Sequence, residues 1–131
     1  MGEAIARRQG GPHTLVLADY DAAALDARAG ALADGGFAVR TEPVDVASAD
    51  SVQALAQRAS QLGEVVQLVH TVGLSPVQAT VEQIVAVDVL GVAHSLDSFG
   101  AIIADRGSGV IISPAWPATC THRCRPIRSQ R

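Results

Sequence analysis

Apolar residues in this chain alternate between short unbroken runs and longer stretches at helical spacing. Thr14–Asp19 is an apolar run ending on a carboxylate and predicts a buried strand. Upstream, Glu3–Gln9 predicts a helix, stopped by Gly10-Gly11-Pro12. Asp21–Asp34 predicts a helix with Leu25, Ala29 and Leu32 on one face, ended by Gly35-Gly36. Phe37–Pro43 alternates as a strand and runs on to Val44-Asp45-Val46. Ser48 caps the next helix, where Val52, Leu55, Ala56, Ala59 and Leu62 form one stripe and Gly63 is the stop. Val65–His70 predicts another strand, and Thr71–Pro76 a loop. Thr80 caps a long helix over Val81–Ala104, with Gly91 inside it. Gly107-Ser108-Gly109 then introduces a strand at Val110–Ile112. Helices and strands alternate through short connections. That order predicts an α/β fold, a Rossmann-like parallel sheet with helices on both faces.

Composition sharpens this picture. Hydrophobic residues make up 48% of the 131-residue chain but aromatic residues only 3%, so the core is built of Val, Leu, Ile and Ala. Such a core suits parallel strands buried on both faces. No apolar run approaches the ~20 residues that span a bilayer, and Met1–Arg8 lacks a signal peptide's apolar core. The expectation is a cytoplasmic protein with no membrane partner. After Ser113 the pattern fails. Residues 114–131 have no periodicity and hold four Arg and no acid, so the reading is a folded unit at 1–113 and an irregular tail at 114–131. So abrupt a change suggests a shifted reading frame or a truncation, which the nucleotide sequence would decide. The body holds the remaining six Arg against all thirteen acids, which argues against nucleic acid as a partner.

Asp19 carries the first functional expectation. Ligands of open α/β sheets bind where strands deliver their carboxyl ends. An acid there can accept hydrogen bonds from both hydroxyls of a ribose and repels a 2′-phosphate, favouring NAD over NADP. The competing reading is that Asp19 caps the following helix.

These residues together resemble the short-chain dehydrogenase/reductase family over about residues 2–113. Gly2-Glu3-Ala4-Ile5-Ala6-Arg7-Arg8 is similar to the end of the family's glycine-rich turn and first helix, with Gly2 as the last glycine. Asp19 falls where NAD-preferring members carry their ribose-binding acid, and Tyr20 follows on the adenine side. Asp45-Val46 matches the pair that reaches the adenine edge, although Asp45 also reads as a helix-approach cap. His70-Thr71-Val72-Gly73 stands where the family has Asn-Asn-Ala-Gly. Gly73 is kept and both Asn positions differ. The resemblance implies Gly2, Asp19, Tyr20, Asp45, Val46, Val72 and Gly73 as cofactor-binding residues and NAD as the cofactor. It begins partway into the family's fold and stops near its middle, so the chain reads as an incomplete piece. In the family's strand order 3-2-1-4-5 the missing first strand is central. The strands at Leu15 and Leu68 are then left with unpaired edges or must pair directly, which favours self-association.

The family's reaction moves a hydride between nicotinamide and an alcohol or ketone, using a Ser and a Tyr-x-x-x-Lys pair. Here the single Tyr is Tyr20 and no Lys occurs anywhere. Pro114 follows Ser113 where the catalytic serine belongs, and Asp88 replaces an Asn that helps hold the lysine. No catalytic residue is assigned. The expected function is an NAD-binding fragment, inactive as given, whose full-length parent acts on a small alcohol or ketone. The alternatives are a non-catalytic, self-associating α/β module and a pseudogene product. The helix at 81–104 is apolar on more than one face, which fits a homo-oligomer. Cys120, His122 and Cys124 lack the spacing and fourth ligand of a zinc site, so no metal is assigned. His70 at a strand end reads either as ligand-facing or as a core-edge histidine.

Overall fold

The computed structural model describes residues 1–112. Ser113, Pro114 and the tail that follows, with Cys120, His122 and Cys124, lie outside the described residues. The elements run α1 (Gly2–Gln9), β1 (Leu15–Asp19), α2 (Ala22–Asp34), β2 (Val39–Pro43), α3 (Ala49–Leu62), β3 (Val65–His70), α4 (Val81–Ile84), a π-helical segment (Val85–Leu90), α5 (Gly91–Gly100) and β4 (Ile103–Ile111).

The helix caps follow from the side chains at their starts. Asp21 accepts from the N–H groups of Ala23 and Ala24 and so starts α2. Ser48 accepts from Ser51 N–H at the start of α3. Thr80 and Gln83 form a reciprocal capping box on α4. A single salt-linked acid fastens α1 to α2: Glu3 lies 2.9 Å from Arg7 and 2.6 Å from Arg28. Those two guanidiniums hold the Glu3 carboxyl below its ordinary pKa, Arg28 first.

β1 pairs with β2 in parallel, Leu15 opposite Val39 and Asp19 opposite Pro43. β3 pairs with β4, also in parallel, His70 opposite Ile111. The two pairs do not join: among the described residues they form two separate two-stranded sheets. Of the two arrangements expected for the strands at Leu15 and Leu68, direct pairing is not adopted, and among the described residues each keeps an unpaired edge.

On one face Leu25 and Leu32 of α2 are buried, and Leu15 closes against Gly10 at the end of α1. On the other, Val44, Val46, Val52, Ala56, Ala59 and Phe99 form the main core, with Ala18 of β1 and Val65 and Leu68 of β3 packed onto it. This shared core holds the two strand pairs in one molecule.

The stretch after residue 80 corrects the sequence expectation. It is not one helix to Ala104. A π-helical segment interrupts it, α5 ends at Gly100, and the chain is extended from Ile103. Gly107-Ser108-Gly109 lies inside β4 rather than before it. The register jumps from Val65 opposite Ile103 to Gln67 opposite Ser108, so β4 carries a bulge. Gly107 makes this bulge feasible. A Cβ there would stand 3.0 Å from Val66 O, 2.9 Å from Ala104 O and 2.7 Å from Ile103 Cγ1.

Candidate functional site

The rim at the carboxyl end of β1 and β2 is set by the parallel register. Asp19 ends β1, and its carbonyl accepts the Val44 N–H at 3.0 Å. That bond brings Asp45-Val46, just past the end of β2, onto the same rim. The Asp19 side chain is exposed, and its Oδ1 accepts the Asp21 N–H at 3.1 Å. Helix capping proper falls to Asp21, whose Oδ1 takes the amides of Ala23 and Ala24 at 3.0 and 3.1 Å. Asp19 therefore does not serve as the cap of α2. Its second oxygen accepts from no donor among the described residues. Tyr20, beside it, is 80% exposed, an unusual position for the chain's one phenol.

Asp45 is held in a turn of its own. Its Oδ1 accepts Ala47 N–H at 3.0 Å, and its N–H donates to Ser51 Oγ at 3.0 Å. The turn fixes the backbone that carries Val46. Val46 is buried, and Gly91 packs against it so closely that a Cβ on Gly91 would sit 3.0 Å from Val46 Cγ2.

The second rim is the loop after β3. Val72 packs onto the same core cluster as Val46. Asp88, in the π-helical segment, accepts the Leu74 N–H at 2.8 Å and anchors the loop that holds Val72 and Gly73. Gly2 meets this loop from α1: a Cβ there would lie 3.1 Å from Thr71 Oγ1. The start of α1, with its first-turn amides, thus stands beside the end of β3. Asp19, Tyr20, Asp45 and Val46 share one rim and Gly2, Val72 and Gly73 the other, and both Val46 and Val72 belong to the packing of the main core.

His70 and Ser95 are the feature that sequence reasoning missed. Both are buried, and His70 Nδ1 lies 3.1 Å from Ser95 Oγ, which donates to Gly91 O at 2.8 Å. His70 Nε2 is buried with no partner among the described residues. Burial pushes the His70 pKa below its ordinary value, and Asp88 opposes that shift. Only the position of His70 at a strand end hinted at this; nothing in the sequence links it to a serine on a later helix.

Between β1 and β3 lies a cavity of about 400 Å³, lined by both strands and by α1, α3 and α5. No His, Cys, Asp or Glu group among the described residues is arranged to hold a metal ion. No helix among them is long and apolar enough to cross a membrane.

The chain is 39% identical over 113 residues to a short-chain dehydrogenase/reductase, bsc3, of Alternaria brassicicola. The match covers 86% of this chain and 41% of that protein. A short-chain dehydrogenase/reductase from Burkholderia phymatum, solved in complex with NAD, superposes with a TM-score of 0.72 at 29% identity, over 86% of this chain and 43% of that one. A short-chain dehydrogenase from Mycobacterium smegmatis also gives 0.72, at 27% identity, over 86% and 51%. The chain thus spans about two fifths to one half the length of these relatives. No family model matches it.

Proposed function

Because the chain belongs to the short-chain dehydrogenase/reductase family, we propose that it binds the adenosine half of NAD and does not catalyse hydride transfer by itself. The observation that carries this reading is the Asp19 carboxylate: at a strand's carboxyl end, exposed, with one oxygen unengaged and helix capping left to Asp21. Two carboxylate oxygens suit the two hydroxyls of a ribose. A 2′-phosphate would meet a negative charge instead, and no Arg lies next to Asp19 in sequence to offset it. Tyr20 offers a ring to one side of the adenine, and the Asp45-Val46 turn offers its edge. The first-turn amides of Gly2 and Glu3 would hold the pyrophosphate, since the free N–H groups of a helix start favour an anion.

In a complete family member the nicotinamide supplies or takes the hydride, and the substrate is a small alcohol or ketone. This chain's residues bind and orient the nucleotide. With no Lys and with its one Tyr on the adenosine side, it offers no proton donor with a lysine beside it. Isothermal titration calorimetry with ADP-ribose, NAD and NADP tests the reading. Binding of ADP-ribose and NAD, with NADP much weaker, is expected. Absence of heat and of any thermal shift at millimolar NAD would end it.

A second reading, a self-associating module, draws on the helical stretch from Val81. Val81, Val85 and Val89 are exposed at successive i+4 positions, with Leu96 also exposed. An apolar stripe of this kind favours an oligomer, and sedimentation velocity at increasing concentration would detect it.

A further inference from the structure

We propose that Ser51 is a positioning residue for the base of the nucleotide: by holding the Asp45 main chain it aims one carboxylate oxygen, and so selects a 6-aminopurine over a 6-oxopurine. Ser51 itself touches no ligand. Its role depends on the cofactor reading above.

The hydrogen bonds of Asp45 are the starting point. Its N–H donates to Ser51 Oγ at 3.0 Å, its carbonyl accepts the Ser48 N–H at 3.1 Å, and its Oδ1 accepts the Ala47 N–H at 3.0 Å. Oδ2 accepts from no donor among the described residues, and Asp45 is exposed. That oxygen is left to meet a ligand. The contacts with Ala47 and Ser48 are local turn contacts of a kind that aspartate forms in many loops. The bond to Ser51 spans six residues and ties the turn to α3.

Helix capping does not require the Ser51 hydroxyl. Ser48 caps α3, its Oγ accepting the Ser51 N–H at 3.4 Å. In a capping box the side chain at the third helical position reaches back to the N–H of the cap residue. Here the Ser48 N–H goes to Asp45 O, and the Ser51 hydroxyl reaches past it to Asp45. Ser51 is a firm anchor, because its neighbour Val52 is 1% exposed in the core. Gly91 of α5 backs the next residue: a Cβ there would stand 3.3 Å from Val46 O. Asp45-Val46 is therefore fixed by α3 through Ser51 and by α5 through Gly91.

Two groups on this pair remain to read a base. Asp45 Oδ2 is an acceptor, and the Val46 N–H, which has no acceptor among the described residues, is a donor. A 6-aminopurine presents a donor at its amino group beside an acceptor at N1, the complement of this pair. A 6-oxopurine reverses both: its carbonyl oxygen would meet the carboxylate, and its N1–H the Val46 N–H. Polar groups left unpaired in this way are what a hydrogen-bonding site rejects. Without the Ser51 hydroxyl the Asp45 main chain is free to turn, and the preference fades although Asp45 remains.

The test compares NAD with nicotinamide hypoxanthine dinucleotide, which carries a 6-oxopurine, by calorimetry on the full 131-residue chain. The natural chain should bind NAD about tenfold more tightly. Ser51→Ala should weaken NAD by about tenfold and the hypoxanthine analogue by less than about twofold, so that the ratio collapses. Ser51→Thr, which keeps the hydroxyl, should restore it. Without ligand, amide exchange at Asp45 should quicken by about tenfold in Ser51→Ala, while Ala23 and Ala24 at the start of α2 stay unchanged. An equal loss for both dinucleotides would mark Ser51 as structural only and overturn the assignment. So would an intact ratio or unchanged Asp45 exchange in Ser51→Ala, or a Ser51→Thr protein that behaves like Ser51→Ala. If the natural chain binds both dinucleotides equally, Asp45 does not read the base, and the Ser51 role falls while the ribose reading at Asp19 stands. If it binds neither, the cofactor reading has failed and the Ser51 role with it.

Discussion

His70 and Ser95, 25 residues apart in sequence, meet at 3.1 Å in the core, and the second nitrogen of the same imidazole has no partner among the described residues. Two elements are locked by this contact: β3, which ends at His70, and α5, whose Gly91 carbonyl takes the Ser95 hydroxyl. Burial pushes the imidazole pKa below its ordinary value, and Asp88 opposes that shift.

Stability should therefore fall as the solution is acidified. The folded-state pKa of His70 lies below its ordinary value of about 6.5, chiefly through desolvation. The unfolded chain binds the proton first as pH drops. Stability from this group is complete above about pH 6.5 and is lost as pH falls from there toward the lowered folded-state pKa, at up to about 1.4 kcal/mol per pH unit. Urea midpoints from pH 7.5 to 5.5 read this slope. His70→Gln should flatten it, and an unchanged slope would contradict the assignment.

Asp88 has two consequences in one side chain. Asp88→Asn should weaken the bond to the Leu74 amide by about 1 kcal/mol and loosen the loop holding Val72 and Gly73. Removing that charge also takes away the influence that raises the His70 pKa, so the pH slope should extend to lower pH. Paired urea titrations of the variant and the natural chain at pH 7.5 and 5.5 would show both effects.

Gly91→Ala sets two magnitudes against each other. Alanine gains about 1 kcal/mol of helix propensity over glycine. Its methyl would lie 3.0 Å from Val46 Cγ2 and 3.1 Å from Val46 Cβ. The Cβ cannot swing aside, and overpacking of this kind costs about 1–3 kcal/mol. The net effect should be a loss of about 1 kcal/mol, seen as a lower melting temperature. A stabilised Gly91→Ala protein would show that the Val46 turn is free to move.

The two aspartates at the end of β1 should separate by function. Asp21→Ala removes the cap of α2 and should cost about 1 kcal/mol. Asp19→Ala removes one amide contact at an exposed position and should cost less than about 0.5 kcal/mol. Chemical denaturation of both variants distinguishes a capping role from a ligand-facing one.

Much of this fold is legible in the residues. The Ala-rich α2, the stripe from Val52 to Leu62 and the apolar runs at Leu15 and Val65 declare themselves by period and by their stops. The helix beyond residue 80 does not, because Ile102-Ile103-Ala104 is equally apolar as a helix tail or a strand start. What ends it is tertiary: Gly107 lets β4 fold back against Val66. Whether Asp19 caps the following helix could be posed from sequence, and the answer needs the structure, where Asp21 is the carboxylate that reaches the Ala23 and Ala24 amides. Contacts such as Asp88 with Leu74 and His70 with Ser95 join residues 14 and 25 positions apart, beyond the reach of any local pattern.

The most direct test of the cofactor reading is a calorimetric comparison of NAD and NADP on the natural chain and on Asp19→Asn. NAD should bind the natural chain at least tenfold more tightly than NADP. Asp19→Asn should lose about tenfold in NAD affinity, as expected for charge-assisted hydrogen bonds worth about 1.5–3 kcal/mol, and close most of the gap to NADP. Equal NAD affinity in the two proteins would contradict the account.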